Sequence, residues 1–232
     1  MNLNKLQGYI ADYKTFLQRD PRRNSMLYKW ESLQHFQENW NLEAADFGAM
    51  YDRSLQNSQT RRIWKRENYD AKTMMLKFIQ MAPDFVQDMF KDLFFEERDI
   101  VGRVDRFVFH CDELLREYKE QNPRSIENNH FHDDGYGMVS WYLSFRYPEE
   151  YAPHDFTAFR QLLEMLATRE VPQTADFGRF CKVARTLYKM LEKDEEVLDI
   201  HQRRLQHELL YQNKSLLVVE DFYLFTTKDR AR

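Results

Sequence analysis

Glycine and proline are scarce in this chain. It holds six of each in 232 residues, less than half of the roughly 12% that the pair makes up in average proteins. Tight turns between short strands draw on these residues, so the sequence reads as long helices joined by few turns. Eighteen Phe, 13 Tyr and 4 Trp argue against disorder. The length suits one large domain or two small ones.

Apolar spacing supports the helical reading. Leu3, Leu6, Ile10, Tyr13 and Leu17 fall at three- and four-residue steps, and Asp20-Pro21 ends that face. A second helix is expected over residues 25–40, capped by Asn24 or Ser25. A third is expected to start at Asn41, and 53–68 reads as an irregular connection. Helices follow over 69–81, 83–94 with Pro83 in its first turn, 99–121, 136–147 ahead of Pro148, and 156–167 capped by Asp155. Residues 176–210 read as two helices meeting near Lys193-Asp194. Only 215–225 resembles a strand, or else a short docking segment. The expected fold is all-α: a globular multi-helix bundle of roughly ten helices, with at most a short C-terminal strand. It forms one domain over 1–232, and its weakest boundary lies near 121–135.

The sum of 34 Lys+Arg against 38 Asp+Glu gives a net charge of −4. A uniformly basic nucleic-acid binder is thereby disfavoured, while a local basic patch stays open. Cys111 and Cys181 stand apart and read as reduced thiols on helix faces. No signal peptide or long apolar run is present, so the expectation is a cytoplasmic chain with no membrane partner.

Motifs for chemistry are few. No GxxxxGK[ST] or GxGxxG is found, and no cofactor is called for. His130, His132, Asp133 and Asp134 could ligate a metal, but their spacing reads first as a polar loop. His201 and His207 do not converge on one ion and are expected to face solvent. His110 and Cys111 are adjacent on a helix, so they point about 100° apart, and a buried structural thiol is the simpler reading. The Glu-Glu pairs at 96–97, 149–150 and 195–196 read as solvated surface and helix starts. Arg61, Arg62, Trp64, Lys65 and Arg66 set four cations around a tryptophan, with Arg53 and Lys72 nearby. Cations neutralise phosphates and an indole can stack on a base, so these residues are the candidate nucleic-acid surface. Arg19, Arg22 and Arg23 would add to it if the fold brought them together. The competing reading is a solvated loop anchored by a core Trp64.

Several segments resemble a known family. Tyr28-Lys-Trp-Glu-Ser-Leu-Gln-His-Phe-Gln-Glu-Asn-Trp40, Met89-Phe-Lys-Asp-Leu-Phe94, Val139-Ser-Trp-Tyr-Leu-Ser-Phe-Arg-Tyr-Pro148 and Glu220-Asp-Phe-Tyr223 are similar, in order and rough spacing, to the helical region upstream of the motor in McrB-like restriction ATPases. The matched positions are mostly core aromatics. In that family an AAA+ motor with its phosphate loop follows, and these 232 residues contain none. The resemblance therefore implies an excised domain or a stand-alone relative with a role in phage defence. It transfers no NTPase or nuclease activity.

Three functions stand side by side. The first is a non-catalytic accessory or recognition domain whose partner is an AAA+ motor domain or another defence protein. The second is a DNA-sensing domain working through residues 61–66. The third, ranked last, is a hydrolase built on the loop at 130–134.

Overall fold

Aspartate starts half of the helices. The computed structural model describes residues 1–65, 70–125 and 135–229, and twelve α-helices lie among them. They are α1 (Leu3–Arg19), α2 (Tyr28–Asn39), α3 (Phe47–Ser54), α4 (Thr60–Trp64), α5 (Ala71–Met81), α6 (Pro83–Leu93), α7 (Ile100–Gln121), α8 (Gly137–Arg146), α9 (Phe156–Met165), α10 (Phe177–Glu192), α11 (Glu195–Arg204) and α12 (Leu217–Leu224). A 3₁₀ turn, Pro21–Asn24, precedes α2, and a π-helical turn, Phe225–Asp229, extends α12. The carboxylates of Asp46, Asp70, Asp99, Asp155, Asp176 and Asp194 each accept a hydrogen bond from a first-turn backbone N–H of the helix that follows. Each satisfies a donor that helix geometry leaves open.

The amphipathic helices bury the faces that their spacing predicts. Leu6, Ile10, Tyr13 and Leu17 of α1 are buried, as are Val104, Phe107, Val108, Cys111, Leu114 and Leu115 of α7. Trp40 packs against the rings of Phe36, Phe47, Tyr51, Phe90 and Phe94. One apolar cluster runs from Leu6 to Phe225. α1 packs on α11, α2 on α3 and α8, α5 on α3, α6 and α7, and α12 on α9 and α10.

Four expectations are corrected. The expected strand at 215–225 is instead mostly helix, Leu217–Leu224, and all eight residues of α12 are buried; no strand occurs among the described residues, where Lys65 and Asp70 form an isolated bridge. Asn41 starts no helix: its side chain accepts from Glu43 N at 3.0 Å, while α3 begins six residues later behind Asp46. Neither Asn24 nor Ser25 caps α2, which opens at Tyr28 without a side-chain cap. The described part of the stretch 53–68 carries the end of α3 and all of α4. By contrast, Asp194 divides α10 from α11 where the sequence places the junction.

Candidate functional site

Of the expected nucleic-acid surface, the described part splits into two halves. Arg61, on α4, and Lys65, just after it, are exposed. Trp64 is 2% exposed and stacks on Tyr142 at 5.2 Å. No base can reach it, which corrects its expected stacking role. Lys72 is buried as well, held by Asp52 at 2.6 Å, so it is unavailable to a phosphate. Arg66, His130, His132, Asp133 and Asp134 lie outside the described residues. Among those described, no three His, Cys, Asp or Glu side chains gather as a metal ion needs.

Arg62 takes a different position. Its exposed guanidinium lies 4.0 Å from the centre of the Tyr28 ring, and NH1 donates to Ser25 O at 3.2 Å. There it borders a cleft of about 710 Å³ between the start of α2, α8, α12, residues 153–157 and residues 173–175. The inner wall holds a buried ion pair, Lys29 on α2 with Glu220 on α12. Burial opposes the Lys29 charge, yet Glu220 outweighs it and holds the ammonium above its ordinary value. Burial also pushes the Glu220 carboxyl up, against the pull of Lys29. The Lys29 ammonium lies 5.6 Å from the Trp141 ring, close enough for a cation–π contact. Asp155, at the head of α9, binds Lys228 at 2.6 Å.

His154 also lines this cleft. Its Nδ1 must donate to Gly135 O at 2.8 Å, since a carbonyl only accepts. Its Nε2 is buried without a partner, beside the Phe180 ring at 4.3 Å. Burial lowers its pKa to about 4, so the ring is neutral at pH 7.

A second feature lies across α6 and α7. Phe85 is 45% exposed and Phe109 59%, and both rings meet His110 edge to face. Beside them a groove of about 600 Å³ is lined by Phe85, Leu114, Glu113, Arg116, Glu117 and Glu120. Arg116 is tied to Glu113 at 2.5 Å, which leaves Glu117 and Glu120 to set the sign. Asp84 and Asp88 lie on the exposed side of α6. The face is both apolar and acidic.

The most deeply buried charges escaped the sequence reading. Asp221, next to Glu220, accepts from Tyr13 Oη at 2.8 Å and from Arg204 at 3.0 Å. Arg103 is buried between Glu96, at 2.6 Å, and Tyr151, at 3.0 Å, so Glu96 is no idle surface residue. His201, expected in solvent, is buried against Trp30 at 5.0 Å, while His207 is exposed. Cys111 and Cys181 are buried, and burial pushes the Cys181 thiol up to about 12, too high for a nucleophile at neutral pH. A charged pair at consecutive positions in an apolar run was the available signal for Glu220 and Asp221. Comparison of the chain with protein-family models, curated proteins and solved structures returns no match.

Proposed function

We propose that this chain is a non-catalytic helical recognition domain of a McrB-like restriction or phage-defence ATPase system, and that it works by binding a protein partner, the AAA+ motor or another member of the assembly. The observation that supports this reading is the face across α6 and α7. Phe85 of α6 and Phe109 of α7 are large aromatic side chains left exposed, and both meet His110. Exposed aromatics ringed by charge mark protein contact surfaces. The buried ion pairs fit the same reading, since Lys29, Glu220, Arg204 and Asp221 are engaged with one another inside the fold.

The test is co-sedimentation with the AAA+ protein of the same defence locus. A stoichiometric complex is expected, and Phe85→Asp with Phe109→Asp should weaken it at least tenfold without changing the melting temperature. Absence of a complex, or turnover of a nucleotide or nucleic acid by the purified domain, overturns the proposal.

DNA sensing is the second reading, favoured by the exposed Arg61 and Arg62 on one short helix and by Lys65 directly after it. It requires duplex or single-strand affinity that falls steeply with salt. Arg61→Glu with Lys65→Glu should abolish that affinity; binding unaltered in this variant removes the reading.

A further inference from the structure

We infer that the cleft beside Arg62 binds a phosphate monoester carried on a flat ring. This chemistry is shared by a free nucleoside monophosphate and by the 5′-phosphorylated end of a nucleic-acid strand. The inference stands independently of the protein-partner reading, because none of the residues lining the cleft belongs to α6 or α7.

Charge is the first argument. Of the ionisable groups at the cleft, Lys29 and Glu220 neutralise each other, and Asp155 is neutralised by Lys228. Arg62 has no carboxylate within ion-pair distance among the described residues. Among the described residues the cleft therefore presents one uncompensated cation, and an anion is the ligand that completes it.

Geometry is the second. Tyr28 and Ser25 O hold the guanidinium in place, and among the described residues only Nη1 is used in a hydrogen bond. The remaining N–H groups keep the fork that matches phosphate oxygens two at a time. Thr157 and Thr174 hydroxyls and the Gln173 amide stand exposed at the same cleft. That is more donors than the two oxygens of a carboxylate would use, and it suits the three terminal oxygens of a phosphate.

Shape is the third. A volume of about 710 Å³ falls within the roughly 300–1,000 Å³ of small-molecule sites. Met26, Trp141, Phe156 and Leu224 give the cleft an apolar lining, which favours a ring over a bare ion.

The experiment is titration of the whole chain, read by calorimetry, with phenyl phosphate, adenosine 5′-monophosphate, inorganic phosphate and adenosine. The two ring phosphates should bind at least tenfold more tightly than phosphate or adenosine alone. Arg62→Gln should weaken them tenfold or more. Arg203→Gln, which removes an exposed cation on α11 outside the cleft, should leave them unchanged. Arg62 is exposed, and an unaltered melting curve will verify that its variant folds. A dinucleotide with a 5′-phosphate that binds tenfold better than the mononucleotide identifies a strand end as the source. Equal or weaker binding identifies the free nucleotide. Failure of every ring phosphate to bind at millimolar concentration overturns the inference, as does equal weakening by the two arginine variants.

Discussion

Lys29 and Glu220 lie in the core, 2% and 5% exposed, and removing one partner strands the other. Glu220→Gln should destabilise the chain by about 3–5 kcal/mol, whereas Lys29→Met combined with Glu220→Leu should restore much of that loss. Urea unfolding of the three proteins measures both effects. His154 and His201 act through protons instead. Burial lowers them to about 4 and about 3, and the Arg204 guanidinium adds to the effect at His201. The unfolded chain takes up these protons below pH 6.5, while the folded chain refuses them. Their stabilisation is thus complete above pH 6.5 and lost as the pH falls from there toward 4 and 3. By pH 5 each histidine should have removed about 2 kcal/mol. Denaturation midpoints at pH 7 and pH 5 will show the slope. His201→Gln keeps an acceptor for Arg204 and should remove about half of it.

Six helices open on an aspartate side chain, and these caps share one energetic role. Asp176→Ala should cost about 1 kcal/mol and Asp176→Asn far less, since either side chain can accept the Arg179 N–H bond; thermal unfolding will compare them. Helices with one wet and one dry face were legible, because period 3.6 appears only when the two sides differ. α7 and α10 announced themselves in this way. α12 did not: with every side buried, its eight residues carry no period, and a short apolar run rich in Val and Phe looks like a strand. Asn41 misled for a related reason. Its side chain closes a local turn as readily as it caps a helix, and nothing nearby in sequence reveals that Asp46 holds the true start.

Long-range contacts decided what the sequence left open about the site. Whether Trp64 faced a nucleic acid or the core depended on Tyr142, 78 positions away, whose ring covers it. The cleft was illegible for the same reason, being assembled from six stretches of chain. The all-α class needed no such information, since it followed from local spacing and few turn residues. The same distances make the fold close late. Tyr13 of α1 binds Asp221 of α12, 208 positions on, and Phe16 stacks near Phe225 at 4.7 Å. A chain cut after residue 214 should keep helical circular dichroism but lose its cooperative urea transition, because α12 fills the centre of the core. A ribosome adding about 5–20 residues per second needs roughly 10–40 s to travel from Tyr13 to Asp221. Throughout that interval the greasy side of α1 has no seat, which makes this nascent polypeptide a client for chaperones waiting at the exit tunnel.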